Sequence, residues 1–150
     1  MAENTITQIE RDLLKILNDE YSFYQSLYIL LDKQRDLIKY DADENLLDLF
    51  SEIERCHVRI RESENKIGAL KDRHPQAFKV ASVHPEIKKL VNCIVTLVKK
   101  NLVLVGDNEQ YVRDRHERIR QELETLQNSG KVFNYLQNQE PVSRFVDGKK

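Results

Sequence analysis

Residues 85–129 read PEIKKLVNCIVTLVKKNLVLVGDNEQYVRDRHERIRQELETLQNS, and the periodicity of this stretch decides the fold. Val91, Val98, Val105, Val112, Ile119 and Leu126 recur at every seventh position. Leu90, Leu97, Leu104 and Tyr111 form the neighbouring row, and Ile87 and Ile94 begin a third that turns polar at Asn101 and Asn108. An apolar stripe several rows wide belongs to a helix that buries one face; a strand would alternate with a period of two. Pro85 suits the first helical position, Gly130 suits the C-cap, and a bend is expected at Gly106. At 1.5 Å per residue a helix over 85–129 is roughly 65 Å long.

Upstream, the same logic predicts two more long helices. Between about Thr5 and Lys39, Ile9, Ile16, Phe23, Leu30 and Leu37 repeat by seven. Leu17, Tyr24, Leu31 and Ile38 lie beside them, and a third row of Ile6, Leu13 and Leu27 is broken by Glu20 and Gln34. This first helix is roughly 50 Å long. A turn follows at Tyr40-Asp41-Ala42-Asp43, where Asp41 with Glu44 has capping-box spacing and Asp43 is an equally good N-cap. The second helix, about 42–73, carries Leu46, Ile53, Ile60 and Ile67 by seven, with Leu49, Phe50, Cys56 and Leu70 alongside. Its stripe thins at Ser63, Glu64 and Gly68. His74-Pro75 stops it, because proline disfavours helical geometry in the preceding residue. Residues 74–85 form the connection, with Ala77, Phe78 and Val80 spaced for one short turn over the core.

The expected fold is therefore all-α: one domain built as an elongated antiparallel bundle of three long helices, with an amphipathic tail, 130–150, partly helical or disordered. Two helices of ~50 Å cannot cover a third of ~65 Å. Its far end, Tyr111 to Leu126, keeps Val112, Ile119, Leu123 and Leu126, and the tail adds Val132, Phe133, Tyr135 and Leu136. Apolar surface that a fold cannot bury usually belongs to an interface.

Composition agrees. Charged residues make up 33% of the 150-residue chain, with Gly 4 and Pro 3, too few turn formers for a sandwich or barrel. Net charge is −1, which argues against nucleic acid as a partner. Residues 1–50 carry 11 acids and 5 bases, whereas 51–100 carry 6 and 11, which suits two antiparallel helices that attract each other. Two distant cysteines, Cys56 and Cys93, fit a reducing cytosol. Met1 to Thr7 is polar and has no apolar signal core. The longest apolar stretch, Leu90 to Val105, is interrupted by Asn92, Lys99, Lys100 and Asn101, so no membrane insertion is expected.

Reactive constellations are scarce. Glu54 and His57 have Glu-x-x-His spacing, but a di-iron bundle needs that motif twice plus two further Glu, and His116 is preceded by Arg113 at the matching offset. Glu20 is a lone candidate on a core-like row. No triad, Gly-rich phosphate loop, CxxC or HExxH occurs, so neither catalytic residues nor a cofactor or metal is expected. Arg113, Arg115, Arg118 and Arg120 interleave with Asp114, Glu117, Glu122 and Glu124 at i,i+4 spacing, a self-neutralising solvent face. Asn101 and Asn108 admit two readings: buried residues that fix register, or a row turned to solvent by Gly106. Tyr21, Phe23, Tyr24 and Tyr28 read as large core residues with Tyr21 and Tyr28 covering the edges, or as a partner groove.

Three stretches together resemble the FlgN-like flagellar export chaperones. They are Leu13 to Glu20 with the later Leu30-Leu31-Asp32-Lys33-Gln34-Arg35; Asn101-Leu102-Val103-Leu104; and the tail Gln139 to Gly148, an aromatic shortly before Asp147-Gly148. The family's tail aromatic is usually tyrosine and here is Phe145. The resemblance implies a bacterial cytoplasmic helical protein that escorts hook–filament junction (hook-associated) proteins to the type III export apparatus. It also implies an export-gate component that docks the tail through Phe145. A helix-in-groove mode would use Val112, Ile119, Leu123, Leu126, Val132, Phe133 and Leu136 against a helical segment of the client. Six of these side chains, all but Val132, give on the order of 9–15 kcal/mol gross if fully buried, before ordering costs. The alternatives are a structural bundle that buries the overhang in a weak homodimer, or a chaperone of another flagellar client such as the filament cap.

Overall fold

The computed structural model describes residues 2–136, with side chains described for 4–42 and 44–130. Every regular element among them is helical: α1 (Ala2–Lys39), a 3-10 turn (Asp43–Asn45), α2 (Leu46–Arg73), α3 (Pro75–Ala81) and α4 (Pro85–Leu136). The chain divides into two compact units, Met1–Glu109 and Gln110–Lys150.

The long helices begin or end away from the sequence expectation in three places. α1 starts at Ala2 rather than Thr5. α2 starts at Leu46, because Asp41 closes α1 instead of opening α2. Asp41 has φ 56°, in the left-handed region. Its N–H donates to the Ile38 carbonyl at 3.3 Å, and Ala42 N–H donates to Leu37 at 2.8 Å. This is a Schellman arrangement with Asp in the place usually taken by Gly. The N-cap of α2 is Asn45, whose side chain makes no capping bond, so neither Asp41 nor Asp43 is the cap. At the other end α4 runs through Gly130, which is not a C-cap, and continues to Leu136.

The connection after α2 is more regular than one short turn. Pro75 sits at the start of the seven-residue α3, with His74 between the two helices at φ −138° and ψ 67°. α3 buries Ala81 completely and packs Phe78 against the core. Pro85 then begins α4 as expected.

The core of the first unit has two hydrophobic clusters. One joins Leu27 and Leu31 of α1, Leu49, Ile53, Cys56 and Ile60 of α2, and Leu104 of α4. The other joins Leu13 and Leu17, Leu70, and Ile87 and Ile94. On each helix a buried polar residue stands between the two sets: Glu20 on α1, Ser63 on α2 and Asn101 on α4. Tyr24 packs against both clusters. Burial, and then the negative charge of Glu64, push the Glu20 carboxyl up to about 7. Burial, Glu20 and Glu64 likewise push the Tyr24 phenol up.

On α1 and α4 the centre of the buried face is displaced from the row that the sequence favours, whereas on α2 Ile53 and Ile60 of the favoured row are buried. On α1 it follows Leu13, Glu20 and Leu27 with Leu17, Leu31 and Ile38, while Ile16, Phe23, Leu30 and Leu37 flank it. On α4 it follows Ile87, Ile94, Asn101 and Asn108, while Val91 and Val105 are exposed. The misleading feature is the same on both helices: polar residues interrupt the innermost row, so an unbroken flanking row looks more central.

Those polar residues have a structural task. Asn101 Nδ2 donates to the Tyr24 carbonyl at 3.3 Å. Asn108 Nδ2 donates to the Leu31 carbonyl at 3.2 Å and to Gln34 Oε1 at 2.8 Å. Both contacts to carbonyls have the same offset of 77 residues, so α1 and α4 run parallel here, in one register. The register reading of Asn101 and Asn108 holds, and Gly106 does not turn their row to solvent. A cost accompanies it, since Asn101 Oδ1, Asn108 Oδ1 and Glu20 Oε2 are buried without partners.

Candidate helix-binding surface

In the second unit the described side chains are those of α4 from Gln110 to Gly130. No Pro or Gly falls between Asp107 and Ser129, and Arg, Glu, Gln and Leu favour the helix. Every residue from 116 to 129 is exposed, so local pairs support this stretch. Arg120 bridges Glu117 on the preceding turn and Glu124 on the following one. Gln110 donates to Asp114 at 2.8 Å, and Arg113 donates to Gln110 at 3.0 Å. Arg120 hydrogen-bonds the Glu117 carboxylate and holds it below the usual carboxylate range, and Glu117 in turn raises the Arg120 guanidinium. The expected Arg120–Glu124 pair forms.

Val112, Ile119, Leu123 and Leu126 stand on the opposite side. At 100° per residue they fall within a sector of about 60°, with His116 between Val112 and Ile119. Their exposures are 39%, 44%, 54% and 67%. The four form an exposed apolar stripe with i, i+7, i+11, i+14 spacing. Because each is already partly covered, burying the remainder yields roughly 3–6 kcal/mol gross. Val132, Phe133 and Leu136 belong to the last turns of α4, but their side chains lie outside the described residues. Phe145 and the tail motif lie outside them entirely.

The remaining candidates are distributed, not gathered. His57 Nδ1 lies 3.8 Å from Glu54 Oε1, both well exposed on α2. Arg61 reaches the other oxygen of Glu54 at 3.5 Å. Glu20 is on α1 in the core, and Phe23 is packed below Arg59, whose guanidinium is 6.0 Å from the ring centroid. Tyr21 and Tyr24 line the core edge, whereas Tyr28 is exposed. Among the described residues no group of three or more His, Cys, Asp or Glu is placed to hold a metal ion. Nor is any helix among them long and apolar enough to cross a membrane.

Sequence reasoning missed two features. Val95 and Leu102 are exposed beside Val91 and Val105 on the first half of α4. Their 4-3 spacing with Val91, Val98 and Val105 was the available signal. The polar layer of Glu20, Ser63 and Asn101 also went unseen, because it emerges only once three helices are aligned. Comparison with protein-family models, with curated proteins and with solved structures finds no match for this chain.

Proposed function

We propose that this chain is a helix-capturing escort protein of the FlgN-like flagellar export chaperone type. Its clients are hook–filament junction proteins in the bacterial cytoplasm, and it does no covalent chemistry. In this reading α1, α2 and α4 form an elongated three-helix bundle. The stripe of Val112, Ile119, Leu123 and Leu126 receives an amphipathic segment of the client, extended by Val132, Phe133 and Leu136. Phe145 contributes to docking on the export gate. The observation that carries the proposal is the exposure of all four stripe residues on one helical face. Helix-in-groove recognition uses such anchors, and a yield of a few kcal/mol per contact set suits reversible handover.

The test is a Val112→Asp/Ile119→Asp double variant measured against the C-terminal helical segment of a hook–filament junction protein. Helicity at 222 nm stays at the wild-type value and binding is lost. Unchanged affinity rejects the stripe as the client surface. Sedimentation at micromolar concentration distinguishes the self-associating alternative, which requires a wild-type dimer that the double variant dissolves.

A further inference from the structure

Within the first unit, an apolar slot of about 640 Å³ opens among α1, α2, α3 and the start of α4. Its walls are Leu13, Leu17, Ile67, Phe78, Ile87 and Val91. Leu13, Leu17 and Ile87 are buried, so the floor of the slot is the core itself. Among the described residues the only charged side chain lining it is Lys88, with Ser82 and Asn92 as the polar neighbours. Lys88 and Asn92 also line an adjoining open trough of about 690 Å³, whose charged residues are Lys88, Lys89 and Lys100, with no carboxylate among them. The two hollows therefore share Lys88 and Asn92: both are mainly apolar, the second being also lined by Tyr21, Val83, Pro85 and Leu97, and the charged residues at their rims are lysines.

We propose that this slot binds a single-chain anionic amphiphile, a fatty-acid carboxylate. The acyl chain lies among Leu13, Leu17, Ile67, Phe78, Ile87 and Val91, and the carboxylate sits at Lys88 beside Lys89. The volume falls in the range of small-molecule sites, which are mostly apolar with a few polar groups that set orientation. Among the described residues no acid lines either hollow, and this sets the sign of the head group. Lys88 is exposed, so it contributes orientation and selectivity more than affinity. The site is separate from the Val112–Leu126 stripe, and it stands or falls independently of the client proposal.

The experiment uses the full chain and three twelve-carbon probes below their micelle concentrations: dodecanoate, dodecanol and dodecyltrimethylammonium. The chain has no Trp, so a Phe78→Trp variant places a single tryptophan, excited selectively over the tyrosines, on the slot wall, and calorimetry on the wild type checks that the reporter is innocent. Dodecanoate is expected to bind and shift the emission, and the cationic probe is expected not to. Lys88→Gln should weaken dodecanoate by about three- to fivefold while leaving dodecanol unchanged. Val91→Phe, at an exposed position on the slot wall, should fill the slot and abolish binding of both without loss of helicity. Equal binding of the anionic and cationic probes overturns the proposal, as does dodecanoate binding that Val91→Phe leaves intact. Association with phosphatidylglycerol vesicles without binding of soluble dodecanoate would reassign the lysines to a lipid surface and also overturn it.

Discussion

Glu20 offers the sharpest quantitative test of the fold. Its side chain is buried on the innermost row of α1, one oxygen has no partner, and its carboxyl is raised from 4.5 to about 7. Below about pH 4.5 both folded and unfolded chains carry the proton, and Glu20 costs nothing electrostatically. Between 4.5 and about 7 the unfolded chain has released it while the folded chain still holds it. The folded state then binds more protons, so stability falls as pH rises, and the loss is complete above about 7. At 1.36 kcal/mol per pKa unit the displacement is worth on the order of 2–3 kcal/mol once relaxation around the carboxylate is allowed for. Glu20→Gln removes the titration and keeps the shape. Urea unfolding followed at 222 nm should therefore show the two proteins nearly equal near pH 4.5, and the variant more stable by that amount near pH 8. The substitution acts only on Glu20 and on the groups coupled to it, Glu64 and Tyr24, so the difference reports on this one cluster. Glu64→Gln should flatten the wild-type curve in part, because Glu64 is the second cause of the shift. A stability difference that stays constant within about 0.5 kcal/mol across this range would refute the reasoning.

Three further outcomes follow from particular contacts. Asn108→Ala should cost roughly 1–2 kcal/mol, and a double-mutant cycle with Gln34→Ala should give a coupling of roughly 0.5–1.5 kcal/mol for their 2.8 Å bond; zero coupling would deny the contact. Asp41→Val should cost about 1–2 kcal/mol in chemical unfolding because a β-branched residue resists the left-handed conformation, whereas Asp41→Gly should not; equal effects would contradict the turn. Cys93 is exposed, whereas Cys56 is buried and its thiol is pushed up chiefly by burial. A thiol reagent should therefore modify Cys93 in the native protein and Cys56 only on unfolding, and two equal native rates would contradict that placement.

Much of the fold is legible in the sequence because heptad spacing survives any uncertainty about partners. The helix breaks at His74-Pro75 and Pro85 are read correctly, since proline acts through its own covalent geometry. What fails is the choice of centre among adjacent rows. Glu20, Asn101 and Asn108 look like interruptions, yet they lie inside: the amides of Asn101 and Asn108 are met by carbonyls of α1 that no local pattern reveals, and burial keeps the Glu20 carboxyl protonated to a higher pH. Asp41 misleads for a related reason: the same short polar side chain suits an N-cap and a left-handed C-terminal residue, and only backbone geometry decides. The exposed stripe is legible as apolar periodicity, and its four residues are exposed. The slot beside Lys88 has no linear signature, since its walls come from four helices.

In the proposed function stability and recognition use different residues of α4, and that separation has a physical basis. Ile87, Ile94 and Leu104 have already lost their water to α1 and α2, so their transfer free energy is committed to folding. Val112, Ile119, Leu123 and Leu126 still face solvent, and the isolated chain gains little from their being apolar. Whatever free energy they release is released only when a second surface removes that water. Substitutions therefore divide into two classes by position on a single helix. Polar replacements at Ile87 or Ile94 should unfold the first unit and abolish every activity with it. Polar replacements at Val112 or Ile119 should leave the unfolding midpoint within about 0.5 kcal/mol of wild type, as expected for exposed positions, and remove binding alone. A stripe variant that unfolded the chain would mean these side chains are already engaged in the free protein, and the helix-capture mechanism would lose its source of energy.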